Sequence, residues 1–114
     1  MLINAANDYA LRMCAYLARK GGSASSREIA EATGSPRDYL IQLAQPLRDS
    51  GVIEGQPGRH GGYRLAKDPG EVSVLAVMRA VDEATEPERL GEEAVYVKRQ
   101  ALDLLDGITL REVM

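Results

Sequence analysis

Apolar positions recur at helical spacing through most of the chain. After the polar pair Asn7-Asp8, which reads as a helix cap, Ala10, Met13, Cys14 and Leu17 fall at i, i+3, i+4 and i+7. That is one apolar face of a helix running to Lys20. Gly21-Gly22 stops it, with Arg19 and Lys20 in the last turn, where the helix dipole favours cations. Ser25-x-x-Glu28 has the form of a capping box and opens a short helix over 27–33, with Ile29 and Ala30 inward. Gly34 interrupts. Ser35 is then the expected N-cap and Pro36 the first residue of a further helix, whose apolar stripe is Leu40, Leu43, Ala44 and Leu47. Pro46 falls inside that helix, where a proline removes a hydrogen bond and crowds the preceding turn at a cost of about 3 kcal/mol. A bend or a tighter turn is therefore expected at 44–47.

The period then changes. Residues 52–56 and 63–66 read as two short strands around the turn material Pro57-Gly58-Arg59-His60-Gly61-Gly62. Two short helices joined by a glycine-containing turn match a helix-turn-helix, and a hairpin directly after one makes a winged helix. Arg59 and His60 sit at the hairpin tip, among glycines. A guanidinium on such a tip suits insertion into a narrow, negative groove, and the same residues also describe a plain solvated loop. A helix is expected over 72–84. Thr85-x-x-Glu88 opens another that runs to Gly107, and Thr109-x-x-Glu112 caps a final turn. Leu90, Ala94, Val97, Ala101, Leu104 and Ile108 are spaced 4, 3, 4, 3, 4, a heptad seam with Ile108 just past the helix end. The seam either packs on the chain's own core or pairs with a second copy. Self-association is favoured, because the other elements already cover so small a core.

Composition narrows the class. At 114 residues, 45% hydrophobic and 27% charged, the chain is an ordinary globule of one core. The expected division is a DNA-binding part at 1–84 and a dimerisation part at 85–114. No apolar run approaches the roughly 20 residues of a membrane helix, and the first residues lack the layout of a signal peptide. Cys14 is the only cysteine, so an internal disulfide is excluded and a reducing cytoplasm is the expected location. The net charge of −3 argues against nucleic acid until it is divided. Residues 1–67 hold nine Lys/Arg against six Asp/Glu, whereas residues 68–114 hold five against eleven. The positive excess coincides with the helix-turn-helix and wing. With one His, one Cys and no glycine-rich phosphate loop after a strand, an enzyme is not expected.

Several phrases carry a family resemblance: Tyr9-Ala10-Leu11-Arg12, Ile29-Ala30-Glu31, Tyr39-Leu40-Ile41-Gln42-Leu43, Leu47-Arg48-Asp49-Ser50-Gly51, Gly61-Gly62-Tyr63-Arg64-Leu65, Ala80-Val81-Asp82 and Ile108-Thr109-Leu110. In this order, over nearly the whole chain, they resemble the IscR/NsrR/CymR group of bacterial winged-helix transcription regulators, the Rrf family. The resemblance implies a mainly α fold, a winged helix-turn-helix with a two-stranded β-wing and a long C-terminal dimerisation helix. It also implies that the third helix enters the major groove and the wing reaches the flanking minor groove. On it, Arg37, Asp38 and Gln42 face bases, where Arg can clamp guanine, Gln pair with adenine and Asp accept from cytosine. Ser25, Ser26 and Arg27 suit a phosphate at the start of the second helix. Tyr39 either donates to a phosphate or packs, and Arg64 either reaches a phosphate or is solvated.

Two departures stand out. Members of the family commonly carry an arginine near the start of the wing turn, where this chain has Pro57; Arg59 follows two residues later. Cluster-binding members carry three cysteines between the Ala-Val-Asp helix and the dimer helix, and residues 83–91 here contain none. No iron–sulfur cluster or other cofactor is therefore expected. The expected function is that of a homodimeric repressor binding double-stranded DNA at an inverted repeat. Its regulatory input is open between a small molecule, a partner protein and oxidation of Cys14. The alternative is a winged-helix module that docks a protein instead of DNA.

Overall fold

The computed structural model describes residues 4–58, 61–84 and 92–113. The first helix, α1 (Ala5–Lys20), begins earlier than the Asn7-Asp8 pair suggests, because its N-cap is Asn4. Asn4 Oδ1 accepts from the Asn7 N–H at 2.9 Å while Asn7 Oδ1 accepts from the Asn4 N–H at 3.2 Å, a reciprocal box that satisfies two donors. Asn7 thus lies inside the helix, fully buried. Ala10, Met13, Cys14 and Leu17 form the buried face expected of them.

Helix α2 (Ser26–Thr33) is capped by Ser25, whose hydroxyl accepts from the Glu28 N–H at 3.1 Å. Only this half of the expected capping box is used, since the Glu28 carboxylate turns instead to Tyr16 and Lys20. Gly34 ends α2 in the left-handed region, φ 71°, where an L side chain is strained. Helix α3 (Arg37–Asp49) starts one residue later than expected, with Pro36 as its N-cap and no side-chain cap. Ser35 is buried in the turn instead. Thr33 Oγ1 spends its proton on the Ile29 carbonyl at 2.7 Å, so the Ser35 hydroxyl must donate to Thr33 Oγ1, 2.8 Å away.

The tighter turn, one of the two outcomes expected at 44–47, does not form: α3 is α-helical without interruption through to Asp49. Only the bond to Gln42 is forgone, and burial of Leu40, Leu43, Ala44 and Leu47 on either side holds the backbone helical.

Strands β1 (Ile53–Gln56) and β2 (Gly62–Leu65) pair antiparallel, with Glu54 opposite Arg64 and Gly55 opposite Tyr63. A third partner joins them: Ala24 and Tyr63 exchange both main-chain bonds, at 2.9 and 2.8 Å, which stitches the hairpin to the residue before the α2 cap. Gly62 permits this approach, since a Cβ there would stand 2.2 Å from the Ala24 carbonyl oxygen.

A single 3-10 turn at Pro69–Glu71 precedes α4 (Val74–Ala84), two residues shorter at its start than expected because Ser73 caps it. Helix α4 lies against α1, and Val77, Met78 and Val81 complete the core. Helix α5 (Glu92–Leu105) and the short α6 (Leu110–Val113) follow. Ile108 is off the end of α5, and its carbonyl accepts from the Val74 N–H at 2.7 Å. Together with the Leu110 N–H donating to Val72, this returns the chain to the start of α4. Of the heptad seam, Leu90 lies outside the described residues, as do the side chains of Ala94 and Leu104; Val97 is exposed, and Ala101 and Ile108 are half-buried.

Candidate nucleic-acid interface

The solvent face of α3 divides into two stripes. Asp38, Gln42, Gln45 and Asp49 point outward, with Gln45 Nε2 donating to Asp49 at 2.9 Å. Arg37 and Arg48 lie beside them on the side toward the wing, and helical spacing puts Ile41 on the stripe they share. Ile41 is 41% exposed, an unusual place for an isoleucine in a core-facing helix. Its exposure was not anticipated from sequence, because Leu40 and Leu43 already account for the local stripe.

Between α3, the start of α2 and the wing runs a groove of about 630 Å³, lined by Ser25, Ser26, Arg37, Arg48 and the glycine-rich strand ends. Arg37 Nε donates to Ser26 Oγ at 2.9 Å and so ties the first turn of α3 to the first turn of α2. Ser25, Ser26 and Arg37, read separately from the sequence, meet here. Arg27 is exposed on the first turn of α2. Among the described residues, neither Arg27 nor the two arginines that line the groove, Arg37 and Arg48, makes an ion pair.

Tyr39 is half-buried, with its ring edge-on to Tyr9 at 5.5 Å between centroids. The Arg12 guanidinium covers the other ring of that pair at 5.2 Å and also donates to Asp8 and to the Thr33 carbonyl at the end of α2. The Tyr39 ring therefore packs against α1. Arg64 is placed apart from the groove. Alternation along β2 turns it to the opposite side of the ribbon from Tyr63, where Nε donates to Glu54 at 2.9 Å. Arg59 and His60 lie outside the described residues.

Glu28 anchors the back of the interface. It accepts from Tyr16 Oη at 2.5 Å and Lys20 Nζ at 2.6 Å, fixing α2 against the end of α1. The ammonium and the phenol hold its carboxyl below the usual range, and the same contact raises the Tyr16 phenol. Cys14 is fully buried, and burial pushes its thiol up to about 12. It is almost wholly protonated at neutral pH, and a protonated, inaccessible thiol is a poor nucleophile.

No helix among the described residues is long and apolar enough to cross a membrane. The model of the Rrf2 family, described as an iron-dependent transcriptional regulator, matches residues 3–114. The chain is 28% identical to the HTH-type transcriptional regulator CymR of Bacillus subtilis, over 99% of its own length and 89% of that protein's. It is 34% identical to the regulator IscR of Aliivibrio salmonicida, over 76% of its length and 60% of IscR's. Several other relatives are also longer, the chain spanning 45% of one from Synechocystis and 55% of one from Rhizobium meliloti. Two solved structures resemble it over 97% of the chain with a TM-score of 0.80: IscR of T. potens, at 29% identity and 84% of that chain, and B. subtilis CymR, at 26% and 94%. With the winged helix, the basic groove and a family match over nearly its whole length, the chain belongs to the Rrf2 family of transcriptional regulators.

Proposed function

We propose that this chain acts as a homodimeric, sequence-specific repressor in the cytoplasm. Each protomer lays α3 in a major groove of an inverted repeat. The observation that carries this reading is the joining of wing, α2 and α3 into one surface, through the Ala24–Tyr63 exchange and the Arg37–Ser26 bond, with unpaired arginines along it. Ser25, Ser26 and Arg27 then meet phosphates, while Asp38, Ile41 and Gln42 face base edges, Ile41 suited to a thymine methyl. Pairing of α5 with its copy sets two recognition helices about 34 Å apart, one duplex turn. Repression follows from occupying a promoter.

An iron–sulfur cluster does not fit these residues. Such clusters are held by four cysteines, or by cysteines and histidines together. This chain has one cysteine and one histidine, and the cysteine is sealed in the core with its thiol protonated. The reading therefore routes regulation through some input other than a bound cluster.

Selection of bound fragments from random duplex DNA tests the reading. Enrichment of a palindrome with half-sites one turn apart is the expected outcome. Failure to retain any duplex at low ionic strength overturns it and favours docking of a protein.

A further inference from the structure

The groove beside α3 has a second cationic wall that the family resemblance did not single out. We propose that Arg48, at the end of α3, grips the phosphate backbone of duplex DNA from a seat on Gly55 of the wing. The inference rests on the DNA-binding reading above.

Gly55 is the first observation. A glycine inside a strand weakens it, and its presence there marks a bulge or a close approach. Here a Cβ would stand 3.2 Å from Arg48 Nε and 3.3 Å from Cζ, so the bare backbone lets the guanidinium lie against β1. Arg48 is exposed and makes no ion pair among the described residues. The acids adjacent in sequence have other partners: Asp49 accepts from Gln45, and Glu54 pairs with Arg64 on the other side of the ribbon.

Spacing is the second observation. Arg37 and Arg48 are eleven residues apart on an unbroken helix, which returns them to the same face about 16 Å apart along the axis. Both line the one groove. A major groove is about 12 Å wide. A helix seated in it turns its outward residues, Asp38 and Gln42 among them, to the base edges, while residues on the side toward the wing meet the flanking backbones. Arg37 serves one end and Arg48 the other. The planar fork of arginine matches phosphate oxygens with two parallel N–H donors, which lysine cannot reproduce.

The experiment measures affinity for a random-sequence duplex across a salt series, which reads phosphate contacts without knowledge of an operator. Arg48→Ala is expected to weaken binding about tenfold. It should also reduce the slope of log affinity against log salt by about 0.9, one phosphate. Arg48→Lys keeps the slope and loses less affinity. Gly55→Ala, which crowds the guanidinium, weakens binding in the parent and has no further effect in Arg48→Ala. Unchanged affinity and slope for Arg48→Ala, with the parent still binding, overturns the role of Arg48 alone. A parent that binds no duplex overturns the DNA-binding reading with it.

Discussion

The side-chain amide of Asn7 donates to the carboxylate of Asp82 at 3.0 Å across 75 residues of sequence, and to the Met78 carbonyl at 3.4 Å. This buried amide joins the first turn of α1 to the last turn of α4. Its carbonyl oxygen is already occupied by the Asn4 N–H. One residue therefore completes the capping box of Asn4 and fastens α1 to the element that leads into the C-terminal part.

Replacing it leaves partners stranded. Asn7→Ala should cost about 1–3 kcal/mol, the penalty for unsatisfied buried groups. Asn7→Asp is nearly isosteric but sets a second carboxylate beside Asp82 in a buried site, which raises the pKa of the new acid. Its stability should be worst at neutral pH and recover as the pH falls toward that raised value. Thermal unfolding of both variants between acid and neutral pH checks the sign. An Asn7→Asp protein with no recovery in acid would contradict the buried contact.

Gly62 has a comparable role in the wing. An alanine there would drive its Cβ into the Ala24 carbonyl, and the obstacle is backbone that cannot swing aside. Gly62→Ala should break the Ala24–Tyr63 exchange, lower stability by about 1–3 kcal/mol and loosen the wing from α2. Hydrogen exchange at Ala24 and Tyr63 is the direct measurement, with faster exchange expected at both amides. Protection equal to the parent would show that the strands accommodate the methyl.

Glu28 gives the acid limb of stability a named contributor. Its carboxyl titrates lower in the folded chain than in the unfolded one, Lys20 being the first cause and Tyr16 the second. As the pH falls, the unfolded chain takes up that proton first. The contribution is thus complete above the ordinary glutamate value of about 4.3 and fades as the pH drops through the lower folded value. Glu28→Gln should lose stability at neutral pH and show a shallower decline in acid. Parallel curves for parent and variant would remove Glu28 from the acid limb.

Tyr96 and Val97 are 66% and 64% exposed on α5, large apolar side chains mostly uncovered among the described residues. If this face meets its copy, Val97→Glu places two carboxylates in the seam and should yield monomers in sedimentation, with the fold intact by circular dichroism. Ala101→Glu, one turn further, should do the same. Dimers persisting in both variants would locate the pairing surface elsewhere.

Local pattern made much of this protein legible. The apolar stripes of α1 and α3, the Ser25 cap and the strand phrases around the wing depend on neighbours within a few residues, and such neighbours are written next to one another. Where a helix starts elsewhere than residue type suggests, the candidate cap is engaged by another partner, near or far in sequence. Asn7 resembles a cap by residue type, yet its amide is claimed by α4; Ser35 resembles one too, yet its hydroxyl is claimed by Thr33 in a buried turn. Pro46 leaves α3 α-helical from end to end, with four buried residues around it.

Which cations are available to a polyanion was a matter for the tertiary structure alone. Arg64 and Arg48 are equally basic as letters. Only the antiparallel register sets Arg64 against Glu54, and only the packing of α3 against β1 lays Arg48 on a glycine in the open groove. Charge acts through space, over distances that chain separation does not encode, so composition could indicate the sign of this face but not which of its residues are free to act.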